Sequence, residues 1–178
     1  MQDFWVFGYG SLMWNPGFEY VDRQIATLRG YDRSFCMRSI HHRGTVADPG
    51  LVLALDPAPH GACSGLAFHV QAARADATLA YLRERELISS AYVEETVDLS
   101  LLDGRDVRAL VYVIDVDHEQ YCGGLPLEEQ AQIIAHAVGG RGPNSEYLNN
   151  TALHLRDLGL EDADLTWLAR RVREIQGG

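Results

Sequence analysis

Two glycines and a serine follow directly on an apolar stretch near the start of the chain. The stretch and its turn comprise Val6, Phe7, Gly8, Tyr9, Gly10, Ser11 and Leu12. Glycines let a backbone turn sharply and expose its N–H groups, and such groups bind anions. We therefore predict a loop that holds the negatively charged part of a substrate. The alternative is an ordinary turn at the end of a buried strand.

A carboxylate is predicted to face inward at the end of a helix over Ala72–Glu86. The residues that share one helical face, at spacings of four, three and four, are Ala75, Leu79, Leu82 and Glu86. If this face packs on a sheet, burial raises the pKa of Glu86 toward the range of a general acid or base. The alternative is a solvated carboxylate at the helix end, or one paired with a nearby arginine.

A basic segment and a tyrosine supply the next candidates. Arg38 and Arg43 could clamp a carboxylate with two hydrogen bonds each, or be surface charges. Neighbouring histidines on a strand point to opposite faces, so His41 and His42 do not predict a metal site. The phenol of Tyr147 borders a cavity or fills the core.

The segment around Tyr147 reads Asn144-Ser145-Glu146-Tyr147-Leu148 and predicts a helix start. Asn144 or Ser145 is expected to cap this helix, because short polar side chains accept hydrogen bonds from the first N–H groups. Ser145 is the favoured cap.

Two better-known sites do not fit the first loop. A dinucleotide site needs a third glycine where this chain has Met13. A nucleophilic Ser11 lacks the Gly-x-Ser-x-Gly pattern of a strand-to-helix elbow. Ser11 is therefore expected to donate a hydrogen bond.

Composition limits the class of protein. The 178 residues suit one domain over 1–178, and 47% hydrophobic residues suit a packed core. A net charge of −10 argues against a nucleic-acid partner. Cys36, Cys63 and Cys122 suggest neither a disulfide framework nor a zinc site. No apolar run predicts a membrane span or a secretion signal, so we expect a cytoplasmic protein with no membrane partner.

The elements predict an α+β fold rather than an alternating one. Strands are predicted at Phe4–Gly8, Tyr31–Ile40, Leu51–Leu55, Ser64–Val70, Tyr92–Leu99 and Val107–Asp115. The helix over Ala72–Glu86 interrupts them, and three helices follow. The first begins at Pro126, the second near Asn144, and the last carries the stripe Leu165, Leu168, Val172 and Ile175. The strands could curl into a small barrel.

Taken together, four ordered motifs resemble the ChaC-like glutathione-specific γ-glutamylcyclotransferases. The motifs are residues 6–12, His42-Arg43-Gly44, Arg85-Glu86 followed by Tyr92, and residues 144–148. The resemblance implies a mixed sheet curled into a small barrel with one embedded helix and C-terminal helices. It also implies cleavage of glutathione to 5-oxoproline and Cys-Gly without a cofactor or metal.

The resemblance further implies residue roles. Glu86 is the catalytic general acid/base, residues 6–12 bind the substrate, Tyr92 and Tyr147 line its pocket, and Arg43 contacts or supports it. One departure is the segment Leu87–Ala91, which is longer than the link in animal members and makes glutathione specificity less secure than the chemistry. The alternatives are a cyclotransferase for other γ-glutamyl amines or peptides, and a non-catalytic small-molecule binding module. The sequence leaves the oligomeric state open.

Overall fold

The computed structural model describes residues 2–87 and 89–177. Its main sheet is a closed five-stranded barrel in the order β1-β3-β2-β4-β5. The strands are β1 (Phe4–Gly8), β2 (Asp22–Ser39), β3 (Gly50–Val70), β4 (Tyr92–Leu101) and β5 (Asp106–Ile114). β1 pairs antiparallel with β3 and parallel with β5, and β4 pairs antiparallel with β5. The predicted α+β fold with a small barrel is confirmed.

Four α-helices and a small hairpin are the other main elements of the residues that the structure describes. They are α1 (Ala72–Glu86), α2 (Leu127–His136), β6 (Val138–Gly139), β7 (Gly142–Pro143), α3 (Asn144–Asp157) and α4 (Ala163–Gly177). α1 has the predicted bounds, and α2 begins directly after Pro126 as predicted. The two-residue strands β6 and β7 were not predicted. They are joined by a turn over residues 140–141, and Gly142, the first residue of β7, has a φ of 113°, a conformation that favours glycine.

Four strands differ from the predicted boundaries. β4 ends at Leu101 rather than Leu99, and β5 spans Asp106–Ile114 rather than Val107–Asp115. The larger differences are in β2 and β3. β2 begins at Asp22 rather than at Tyr31, because it continues through Gly30, whose φ of 91° marks an irregular point within the strand. β3 is one strand from Gly50 to Val70 where the sequence predicted two. Its middle contains Pro57 and Pro59, which are compatible with extended backbone and are exposed here.

The chain divides into two compact units. The first unit comprises Met1–Arg33 and Leu55–Glu119, and the second comprises Ser34–Ala54 and Gln120–Gly178. In the first unit, each of the five barrel strands contributes to one buried cluster. Its members are Phe7, Ala26, Leu28, Leu55, Cys63, Ala67, Leu99, Leu101, Ala109, Val111 and Val113. The prediction of one domain over residues 1–178 stays a prediction.

A second cluster of the first unit lies where α1 packs on the sheet. Leu82 of α1 belongs to this buried cluster together with Val6, Leu12, Val70 and Tyr112. Of the apolar residues on the predicted face of α1, Ala75 and Leu82 are thus buried and Leu79 is half-buried, and this face ends at the candidate acid.

In the second unit, α4 packs against α2 and α3. Three residues of the predicted stripe of α4, Leu165, Leu168 and Val172, are fully or almost fully buried. Within residues 2–87 and 89–177, no helix combines the length and the apolarity that crossing a membrane requires. The expected cytoplasmic location stays a prediction.

Candidate active site

The glycine-containing loop begins where β1 ends. Val6 and Phe7 are buried in the two clusters of the first unit, so their side chains belong to the core. Gly8 is also buried, whereas Gly10 is half-buried and Ser11 is exposed. The part of the predicted loop that is open to a ligand therefore starts after β1.

The backbone beyond Gly10 forms a single 3-10 turn over Ser11–Met13. The N–H of Met13 donates to the carbonyl of Gly10 at 2.9 Å, and the N–H of Asn15 donates to the carbonyl of Ser11 at 2.8 Å. Within the described part of the chain, the N–H groups of Gly10, Ser11 and Leu12 have no protein acceptor. Three consecutive amides in this state can bind an anion.

A buried arginine fixes the first of these amides. The Nε of Arg33 donates to the carbonyl of Tyr9 at 2.8 Å, and its guanidinium also donates to the carbonyl of Ser64. The carbonyl and the N–H of a trans peptide point in opposite directions. Fixing the carbonyl of Tyr9 therefore fixes the direction of the Gly10 N–H. Arg33 is 8% exposed.

Two glycines allow the close packing beneath the loop. A Cβ on Gly8 would lie 3.1 Å from the Cβ of Leu12. A Cβ on Gly65 of β3 would collide with the carbonyl oxygen of Gly8 and lie 2.8 Å from the ring of Phe7. Around Gly10 there is open space, since a Cβ there meets nothing within 4 Å. The steric requirement for glycine thus falls on Gly8 and Gly65.

Glu86 is the last residue of α1, and its side chain is 18% exposed. Burial raises the pKa of this carboxyl, and the positive charge of Arg85 partly opposes the rise. The Nε of Arg85 lies 3.5 Å from Oε1 of Glu86. The carboxylate therefore faces inward, as the helical spacing predicts. It also lies next to an arginine, as the alternative interpretation of Glu86 expected.

Arg85 connects this carboxylate with the loop after β1. Its Nη2 donates to the Oγ of Ser11 at 3.1 Å, and its Nη1 donates to the carbonyls of Asn15 and Pro16 at 2.7 and 3.2 Å. The hydroxyl of Ser11, which was expected to donate, accepts in this hydrogen bond and keeps its proton for another acceptor. The loop and the acid are thus close together in the first unit.

Tyr92, the first residue of β4, is half-buried and packs against the cluster that contains Leu82 of α1. On the neighbouring strand β5, the hydroxyl of Tyr112 donates to Oε1 of Glu94 at 2.8 Å, and Arg83 binds both oxygens of Glu94 at 3.0 Å. Burial raises the pKa of Tyr112, with further contributions from Glu94 and Glu86. Tyr112 therefore remains a neutral phenol. Ile88, within the departing segment Leu87–Ala91, lies outside the described residues.

Arg43 and Tyr147 belong to the second unit, where they contact each other. The Arg43 guanidinium lies 5.8 Å from the centre of the Tyr147 ring, donates to the carbonyl of Pro143 at 3.1 Å, and lies 3.6 Å from the carboxylate of Glu146. The Tyr147 hydroxyl accepts a hydrogen bond from the N–H of Leu53 at 3.1 Å. Tyr147 is half-buried, so its side chain is neither enclosed in the core nor fully exposed to solvent.

The predicted helix cap at the start of α3 is wrong. Pro143 precedes the helix as its cap residue, and no side chain caps the first N–H groups. Asn144 is fully buried and instead binds the backbone of Leu51: its Oδ1 accepts from the N–H and its Nδ2 donates to the carbonyl, both at 2.8 Å. Asn144 serves a tertiary contact because its amide matches a backbone donor and acceptor.

Comparison with known proteins decides the family. Residues 4–175 match the family model described as ChaC-like protein. The chain belongs to the ChaC-like family. This confirms the family that the four motifs resemble.

Individual ChaC-like relatives agree with the family match. The chain is 37% identical over 171 residues to the glutathione-specific gamma-glutamylcyclotransferase of Escherichia coli (strain K12), covering 96% of this chain and 73% of that protein. It is 35% identical over 178 residues to the protein of the same name from Schizosaccharomyces pombe, covering 90% of this chain and 87% of that protein. A crystal structure of a yeast gamma-glutamyl cyclotransferase specific to glutathione superposes with a TM-score of 0.84 at 26% identity, over 98% of this chain and all of that one.

Some residues of this ChaC-like site were not identified as functional from the sequence. Arg33 and Gly65 support the loop from β2 and β3, and Arg85 was noted only as the neighbour of Glu86. A charged residue two positions before the apolar run Phe35-Cys36-Met37 was the available signal for Arg33. Among the described residues, no three His, Cys, Asp or Glu side chains come together as a metal site requires.

Proposed function

We propose that this ChaC-like protein cleaves glutathione to 5-oxoproline and Cys-Gly, with Glu86 as the general acid/base. The observation that carries the proposal is the buried carboxylate of Glu86 joined through Arg85 to a loop with three available amides. The glutathione-specific relatives support the choice of substrate.

The reaction uses a nucleophile that the substrate itself provides. The α-amine of the γ-glutamyl residue attacks its own γ-carbonyl carbon, and a five-membered lactam forms as the amide bond to the cysteinyl nitrogen breaks. The amine loses one proton and the departing nitrogen gains one, so atoms and charge balance. Because attack is intramolecular, holding the chain folded back provides an effective molarity on the order of 10⁵ M or more in favourable cases.

The loop is proposed to hold the substrate's α-carboxylate. The N–H groups of Gly10, Ser11 and Leu12 offer hydrogen bonds that are strengthened by the negative charge of the ligand. Val6, Phe7 and Gly8 support this loop from β1, and Tyr9 contributes its carbonyl to the contact with Arg33. Anchoring the carboxylate restricts the γ-glutamyl unit to conformations that bring amine and carbonyl together.

Glu86 is proposed to take the proton from the attacking amine and return it to the leaving nitrogen. Burial raises the pKa of its carboxyl, which makes the carboxylate a stronger base than a solvated one. Arg85 keeps the ionised form available. General acid–base catalysis of this kind contributes about 10²- to 10⁴-fold to the rate. Substrate contacts by Tyr92, Arg43 and Tyr147 stay predictions.

The test follows 5-oxoproline and Cys-Gly by chromatography after the purified protein is incubated with glutathione. Glu86→Gln is expected to lower kcat by about 10²-fold or more, because an amide cannot accept the proton, while glutathione binding measured by calorimetry persists. Glu84→Gln is the matched control, since Glu84 is exposed on the same helix. Near-normal turnover by Glu86→Gln would refute the role of Glu86.

Parallel incubations with other γ-glutamyl peptides and amines test the substrate. Equal kcat/KM values for these compounds and for glutathione would refute glutathione specificity and identify a broader cyclotransferase. Binding of glutathione without any product would identify a non-catalytic binding module.

A further inference from the structure

We propose that Arg85 is a positioning residue that locks the loop after β1 onto the end of α1, and thereby holds the anion-binding amides and the general base in one geometry. This inference rests on the proposed function and deepens it. It concerns a residue that contacts the loop and Glu86 rather than the reacting atoms.

The contacts of Arg85 use all three nitrogens of its guanidinium. Nη1 donates to the carbonyls of Asn15 and Pro16 and lies 3.0 Å from the hydroxyl of Tyr81, one helical turn earlier. Nη2 donates to the Oγ of Ser11, and Nε faces Glu86. A planar fork with five N–H donors can reach this set at once, with the two N–H groups of Nη1 shared among its three acceptors, whereas the ammonium of a lysine cannot span it.

The arrangement goes beyond ordinary helix stabilisation. A basic residue in the last turn of a helix interacts favourably with the helix dipole, and α1 has two such residues, Arg83 and Arg85. Arg83 is exposed and binds Glu94 on β4. Arg85 is 21% exposed in its side chain and turns toward the loop instead. Arg83 therefore offers a matched control for the helix-end charge.

Arg85 also sets the electrostatic surroundings of Glu86. Arg85 on its own helix is the charged group that acts on the pKa of Glu86, and the phenol of Tyr112 on β5 interacts with Glu86 as well. Tyr112 in turn binds Glu94, which is paired with Arg83. Tyr112 is neutral, so Arg85 supplies the neighbouring positive charge. Its removal disfavours the carboxylate, and activity should then require a higher pH.

The test compares Arg85→Met, Arg85→Lys and Arg83→Met by steady-state release of 5-oxoproline from glutathione between about pH 5 and 9. Arg85→Met is expected to raise KM by about tenfold, because charged hydrogen bonds that order the loop are lost. The acidic limb of its kcat/KM profile should move to higher pH. Arg85→Lys should restore the pH profile but not the KM. Arg83→Met should leave both close to wild type.

Amide hydrogen exchange provides a readout that does not depend on activity. The N–H groups of Met13 and Asn15, which are hydrogen-bonded within the loop, should exchange faster in Arg85→Met than in wild type or Arg83→Met. A variant whose KM, pH profile and exchange all match wild type would overturn the positioning role. An Arg85→Lys variant whose KM recovers as fully as its pH profile would also overturn it, since charge alone would then suffice.

The two proposals fail in different ways. A wild-type protein that forms no 5-oxoproline refutes the proposed function. Amide hydrogen exchange alone then tests whether Arg85 positions the loop. If the wild type is active and Arg85→Met has the wild-type KM, pH profile and amide hydrogen exchange, only the positioning role of Arg85 is refuted.

Discussion

Replacing Asn144 by alanine should destabilise the protein strongly although Asn144 caps no helix. Both Asn144 and Leu51 are fully buried, and the substitution removes two hydrogen bonds of 2.8 Å each. The N–H and carbonyl of Leu51 lose these partners in the interior. An unsatisfied buried polar group costs about 1–3 kcal/mol, so the two together should cost about 2–4 kcal/mol after local relaxation. For a chain of this length, that corresponds to a fall in Tm of about 4–16 °C.

Chemical and thermal denaturation of Asn144→Ala would measure this loss, with Asn149→Ala, exposed on the same helix, as the control. Asn144→Asp adds a test of the geometry. An ionised carboxylate can accept from the Leu51 N–H but cannot donate to its carbonyl, whereas a protonated carboxyl can do both. The stability of Asn144→Asp relative to wild type should therefore recover as the pH falls. An Asn144→Ala variant within about 0.5 kcal/mol of wild type would refute the reasoning.

Two further predictions concern the first unit. Because burial raises the pKa of Glu86, the native state binds more protons than the unfolded chain between the unfolded and folded pKa values, and this contribution to stability falls as the pH rises through that window. Glu86→Gln should remove this dependence and raise the Tm at neutral pH; an unchanged or lower Tm would contradict it. Gly65→Ala should cost about 1–3 kcal/mol by forcing its Cβ against Gly8 and Phe7, whereas Ser64→Ala, exposed on the same strand, should have little effect; denaturant titration would compare them, and equal midpoints would contradict the close approach.

Local patterns predicted the elements that depend on local spacing. The four-three-four spacing of Ala75, Leu79, Leu82 and Glu86 correctly predicted the bounds of α1 and the inward direction of its last side chain. The boundaries of β2 and β3 were missed because Gly30 and the prolines of β3 are typical of turns, whereas pairing within the barrel keeps these segments extended.

Contacts between distant residues account for most of what the sequence did not predict. Asn144 looks like a helix cap in sequence, and only the position of Leu51, 93 residues earlier, gives its amide another use. Likewise, Arg33 meets Tyr9 across 24 residues and Arg85 meets Ser11 across 74. Hydrophobic periodicity in the sequence does not indicate such pairs, because only the fold brings the two partners together.

The parallel pairing of β1 with β5 affects the order of events during synthesis. Trp5 and Val6 leave the ribosome before their partners Ala109 and Leu110, which follow about a hundred residues later. At typical translation rates this interval is roughly 5–20 s. During this interval β1 and the glycine turn that follows it lack β5, one of the two strands that flank β1 in the barrel. The glycine turn after β1 is thus synthesised well before β5, and the barrel can close only after β5 has emerged.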